Sequence, residues 1–206
     1  CVATGASAVV NDVVISADDI DSQTGISTAA SGPADGSVTL TSTGNDVDLA
    51  GATDIDGALT VTAADSFTQN ATALNTENDI TITADDFQAG ATTTVQAGKM
   101  TVTVTNDSVL TGDTTVTGGG LTITQSGGAD QTVTFSGEAA SLVVDNDISI
   151  TAQNVVTDEI STVAGNVTIT ADNDITIDAT TGAATTTDVS GSLTLTSANA
   201  TTSAIT

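Results

Sequence analysis

Apolar and polar positions alternate along this chain in short runs. In the stretch from Gly165 to Asp178, Val167 and Ile169 fall on one side of an extended backbone and Thr168 and Thr170 on the other, because successive strand side chains point to opposite faces. An acidic corner follows, then a second alternating run, Ile175-Thr-Ile-Asp178. Versions of this block recur from end to end, as Val38-Thr-Leu-Thr, Leu59-Thr-Val-Thr, Ile80-Thr-Ile-Thr, Met100-Thr-Val-Thr, Leu121-Thr-Ile-Thr and Leu193-Thr-Leu-Thr. A fixed period of this length marks a repeat architecture.

The period predicts strand starts at Val13, Val38, Leu59, Ile80, Met100, Leu121, Leu142, Val167 and Leu193, at intervals of 25, 21, 21, 20, 21, 21, 25 and 26 residues. Two residues before each start stands Asn11, Gly36, Gly57, Asn78, Gly98, Gly119, Ala140, Gly165 or Gly191. Glycine and asparagine take left-handed backbone most readily, so these positions predict a sharp left-handed corner in nearly every repeat. A second apolar position follows at Val47, Phe67, Phe87, Val109, Ile148 and Ile175, and a third at Ile55, Leu74, Val95, Val116 and Val189.

Three short strands in each 20–26 residues predict an all-β chain, a three-sided parallel β-helix of about nine coils forming one domain over residues 1–206. Val, Ile, Leu and Phe would fill its interior, with Phe67 stacked on Phe87, and Thr would line the outside. An up-and-down β-sandwich leaves the fixed corner residue unexplained. Gly127-Gly128 predicts a bulge or small loop before Val133-Thr-Phe135. The only proline, Pro33, falls in the loop from Ser31 to Gly36, where it interrupts no ladder.

The phrases Val167-Thr-Ile-Thr-Ala-Asp-Asn-Asp-Ile-Thr-Ile-Asp and Asp147-Ile-Ser-Ile-Thr-Ala resemble the repeats of filamentous-haemagglutinin-type and related bacterial surface adhesins. The resemblance implies a right-handed parallel β-helix in an extracellular or cell-surface setting. A fold alone does not assign an activity.

Composition narrows the function classes. The chain carries 26 acidic residues against one basic residue, for a formal charge of -25. Such a surface excludes nucleic acid or an anionic membrane bound through a basic patch. No apolar run approaches the roughly 18 residues that a transmembrane helix needs. Thr makes up roughly a fifth of the chain, which favours extended backbone. With no His, one cation (Lys99) and one thiol (Cys1), His-based triads and general bases are absent. Paired Asp residues could serve glycoside hydrolysis, but the chain lacks the exposed aromatic faces that a sugar site uses. The expectation is a protein that is not an enzyme.

Two surface features remain. Carboxylates recur after the first strand of eight successive repeats, at Asp18, Asp19, Asp46, Asp65, Asp85, Asp86, Asp107, Asp130, Asp145, Asp147, Asp172 and Asp174. Stacked at one corner, Asp46, Asp65, Asp85, Asp86, Asp107, Asp145, Asp147, Asp172 and Asp174 would be the candidate ligands of Ca²⁺, which takes six to eight oxygens. The alternative is a splayed, solvated edge. The second feature is a Thr-x-Thr array: Thr39 and Thr41, Thr60 and Thr62, Thr81 and Thr83, Thr101 and Thr103, Thr122 and Thr124, Thr168 and Thr170, Thr194 and Thr196. It resembles the flat face of ice-binding β-solenoids, with Val143 and Asp145 expected to interrupt it. The outward half of any β-branched strand would read the same way.

The first and last repeats carry no charge block, amphipathic helix or proline that would cap a solenoid. The leading expectation is therefore an extracellular structural protein whose copies stack head to tail into a filament or surface fibre. A repeat segment of a large adhesin and an ice-binding protein are the alternatives. Cys1, at the start of the numbering, is a candidate lipid-anchor position.

Overall fold

The computed structural model describes residues 2–3, 8–9, 12–28, 36–70, 73–128, 130–136, 142–157, 160–162, 164–177 and 188–202. Cys1, Asn11, Pro33 and Ala140 lie outside the described residues. Among these residues there is no helix, and every strand pairing is parallel.

The strands form three ladders, visited in rotation. The first runs through Val13–Ala17, Val38–Ser42, Leu59–Thr62, Ile80–Ala84, Met100–Val104, Leu121–Gln125, the first parts of Ile148–Thr157 and Val167–Ile177, and Leu193–Thr196. The second includes Ile20–Ser22, Val47–Leu49, Ser66–Gln69, Asp86–Ala89, Ser108–Leu110 and Thr132–Phe135, then the later parts of the two long strands and Asn199–Thr202. The third includes Ser27–Thr28, Thr53–Ile55, Leu74–Thr76, Thr93–Val95, Thr114–Val116, Leu142–Val144, Ser161–Thr162 and Asp188–Val189. This is a β-solenoid of about eight turns. At about 4.8 Å between paired strands it rises about 38 Å.

Period-two alternation sorts the side chains. On the first ladder Val38, Leu59, Ile80, Met100, Leu121, Ile148 and Val167 form one inward column, and Leu40, Val61, Ile82, Val102, Ile123, Ile150 and Ile169 a second, all buried. Full burial of such a side chain contributes about 1.5–3 kcal/mol. On the second ladder Phe67 and Phe87 pair in register, their ring centroids 5.5 Å apart and their planes 8° from parallel.

Three expectations need correction. Leu142 does not open a first strand. It belongs to the third ladder, paired with Thr114, and Ile148 follows Leu121 on the first. The Leu142 repeat lacks the Thr-x-Thr phrase, and the true first-ladder strand starts 27 residues after Leu121, beyond the 21-residue spacing of its neighbours. Ile148 is likewise not a second-ladder residue, and Val155 takes that position. Val109 also leaves the predicted interior, because Ser108 pairs with Phe87 and Val109 faces outward beside Gln88.

The corners differ too. Of the described corner residues only Gly36 has a positive φ, 86°, joined by Gly25 elsewhere at 85°. At the others the reason for glycine is close approach between coils: a Cβ on Gly57 would lie 2.6 Å from the Ser37 nitrogen. With Ile148 as the strand start, Asn146 replaces Ala140 in the corner series. The corner between Gln125 and Thr132 is enlarged, as the two glycines predict, and the register shift lies one turn on, between Ala152 and Asn154.

The register predicts opposite outcomes at adjacent coils. Phe87→Ala should destabilise by about 3–5 kcal/mol, whereas Val109→Thr should change stability by no more than about 0.5 kcal/mol. Denaturant unfolding followed by circular dichroism measures both.

Candidate acidic corners and threonine face

The corner carboxylates divide between two corners. Asp18, Asp19, Asp46, Asp65, Asp85, Asp107, Asp130 and Asp172 lie where the chain passes from the first ladder to the second, and Asp86 and Asp174 are the next residues on, already paired in the second. Asp145 and Asp147 lie between the third and the first, because Leu142–Val144 and Ile148–Thr157 belong to those ladders. The single acidic corner expected from the sequence is thereby corrected to two.

One bonding rule operates at both corners. The residue just before the first inward position of a strand accepts, through its side-chain oxygen, the backbone N–H of the equivalent residue one coil on. Before the first ladder, Asp12 Oδ1 accepts from Ser37 N at 3.0 Å, Asp79 Oδ1 from Lys99 N at 2.9 Å, Asp147 Oδ1 from Asn166 N at 2.8 Å, and Asn166 Oδ1 from Ser192 N at 2.9 Å. Ser37 Oγ does the same for Ala58 N at 3.2 Å. Before the second ladder, Asp46 Oδ1 accepts from Ser66 N at 3.0 Å, Asp86 Oδ1 from Asp107 N at 3.0 Å, and Asp107 Oδ1 from Thr132 N at 2.8 Å. At the same level of a later coil, Asp174 Oδ1 accepts from Asn199 Nδ2 at 2.9 Å. A short polar acceptor, most often a carboxylate, thus extends each ladder by one bond at the point where the backbone turns away.

Asp86 carries a second bond, from Asn106 Nδ2 to Oδ2 at 3.2 Å, and Asp172 Oδ2 accepts from Gln153 Nε2 at 2.8 Å. Among the described residues no three His, Cys, Asp or Glu side chains gather closely enough to hold a metal ion. What the structure shows Asp46, Asp86, Asp107 and Asp147 doing is holding backbone amides. The signal in the sequence was positional: Asp, Asn or Ser immediately before the strand.

Asp48 is different, because it faces outward within a second-ladder strand, paired with Asp21 below and Thr68 above. Its Oδ1 is buried without a hydrogen-bond partner. Burial first, then the carboxylates of Asp21, Asp46 and Asp19, push its pKa above the ordinary 3.8.

On the first ladder the outer side chains stand in two files. One is Thr39, Thr60, Thr81, Thr101, Thr122, Ser149, Thr168 and Thr194; the other is Thr41, Thr62, Thr83, Thr103, Thr124, Thr151, Thr170 and Thr196. All fourteen threonines expected on this face are brought together there. Val143 and Asp145 do not interrupt it, since Ser149 and Thr151 occupy that level. Neither file contains a charge, whereas the second ladder exposes Asp21 and Asp48 in its outer file and the third ladder Asp54.

No known protein family matches the chain, and neither does any curated protein or solved structure.

Two substitutions separate bonding from bulk charge. Asp86→Ala should destabilise by about 1–3 kcal/mol through its lost charged acceptor. Asp85→Ala, at a carboxylate without a side-chain bond, should be neutral or slightly stabilising in the same melt. Asp48→Asn tests burial. A raised folded-state pKa means the proton is bound more tightly in the fold, so the penalty is absent below about pH 3.8 and appears as pH rises through the folded-state value. Asp48→Asn should therefore melt higher than the parent at pH 7, with the gap closing as pH falls towards 3.8.

Proposed function

We propose that this chain is a structural element of an extracellular fibre, a stiff solenoid rod that joins copies of itself end to end. The observation that carries this reading is the unbroken parallel pairing of the first ladder, nine strands in eight in-register steps. A parallel ladder is polar: one end of the stack presents the N–H and C=O pattern that the other end accepts. A contact between opposite ends is heterologous and, without rotational closure, propagates as an open filament.

The dense acidic corners support an exposed role, because like charge on every rod opposes lateral aggregation. The right-handed winding and the cell-surface setting implied by the adhesin resemblance, and the three-sided coil expected from the strand spacing, belong to the same reading. A segment of a larger adhesin would use the same rod, with covalent joints replacing subunit contacts.

Electron microscopy of native material, combined with subunit mass after denaturation, tests the proposal. Filaments that dissociate to a subunit of about 20 kDa, the mass of this chain, are the expected result. A far larger polypeptide would transfer the rod to an adhesin, and dispersed monomers would remove the structural reading.

A further inference from the structure

We infer that the outer face of the first ladder is a binding surface for an ordered lattice of water, the surface of ice. Three observations carry the inference. The face is uninterrupted: from the coil of Thr39 to that of Thr194 every level supplies a β-hydroxyl side chain in each file, with Ser149 the only member that is not Thr. It is uncharged, although the chain carries 26 acidic residues. Its threonine hydroxyls bond no other group of the described protein, so their donors and acceptors are available to a ligand.

Geometry selects the ligand. Side chains in one file repeat at the strand spacing, about 4.8 Å, and the two files lie about 6.7 Å apart along the strand. Water molecules hydrogen-bonded tetrahedrally at about 2.8 Å place oxygens that share a neighbour about 4.6 Å apart. The mismatch along a file is then about 0.2 Å per coil, so several successive hydroxyls can meet lattice positions together. Thr is restricted at χ1, and the in-register ladder gives each file the same backbone setting. The hydroxyls are thereby ordered before binding, which lowers the entropic cost of meeting a rigid lattice. The methyl beside each hydroxyl orders the water that lies between them.

A second copy is a weaker occupant. Strands of four or five residues across about 38 Å offer roughly 500–600 Å² per partner, which places the pair at or below the lower limit of specific interfaces. The buried layer would also be hydroxyl-rich.

The test measures ice growth and thermal hysteresis in solutions of the intact chain, the Thr103→Lys and Thr124→Tyr variants, and Gln88→Lys as a control on the second ladder. Circular dichroism melts check that each variant is folded. Faceted ice growth and measurable hysteresis are expected for the parent and for Gln88→Lys, with at least a five-fold loss in the folded face variants. Ordinary ice growth by the parent at millimolar concentration would overturn the inference. So would equal activity in parent and face variants, or a concentration-dependent dimer that Thr103→Lys dissociates without any effect of the parent on ice.

Discussion

Every part of this structure depends on the in-register parallel hydrogen bond between one coil and the next. Because each residue pairs with its equivalent about 4.8 Å away, like must stack on like. Apolar residues gain from that arrangement, as the unbroken columns from Val38 to Val167 and from Leu40 to Ile169 show. Threonine tolerates it, since β-branched neighbours pack well on a pleated surface. Carboxylates do not. Two of them one coil apart cost somewhat under 1 kcal/mol even at water's dielectric constant, and more where water is excluded.

This constraint explains where the acids lie. Asp appears mainly at corners, where the backbone leaves the ladder and an N–H needs an acceptor. Asp12, Asp79 and Asp147 meet that need on one edge and Asp46, Asp86 and Asp107 on another. Where acids stack within a strand, at Asp21 and Asp48, burial first and the neighbouring carboxylates second raise the pKa of Asp48. The interior shows a parallel strain. Thr93 and Thr114 pair in the third ladder with buried hydroxyls that lack partners, and Ser108 sits among the second-ladder residues in the same state. Each such group costs about 1–3 kcal/mol, offset by the large apolar side chains stacked around it.

Much of the architecture was legible because the ladder writes its register directly into the sequence. Residues such as Ile80, Thr81, Ile82 and Thr83 pair one for one with Met100, Thr101, Val102 and Thr103. Reading failed where one coil changed length. The coil that contains the enlarged corner after Gln125 is 27 residues long, so a 21-residue spacing from Leu121 falls on Leu142 of the third ladder and misses Ile148. Periodicity reports spacing, and spacing is what an insertion changes. The corner glycines misled for another reason: crowding between coils and left-handed backbone both select glycine, and only Gly36 needs the second. The amide-holding role of Asp was hidden because it depends on a neighbour 19 to 25 residues away.

Screening completes the electrostatic argument. At physiological ionic strength the Debye length is about 8 Å, less than two coil steps, so an exposed corner carboxylate interacts chiefly with its immediate neighbours. The total of -25 is therefore distributed as many weak local repulsions along the rod. At Asp12, Asp46, Asp79, Asp86, Asp107 and Asp147 they are opposed by a charge-assisted bond to an amide, roughly twice as strong as a neutral one. A longer rod built on this pattern adds only more local repulsions and bonds of the same kind, so its electrostatic stability per coil does not worsen with length. That independence of length is the property a fibre requires, and it follows from screening and from placing most of the charge at the ladder's edge.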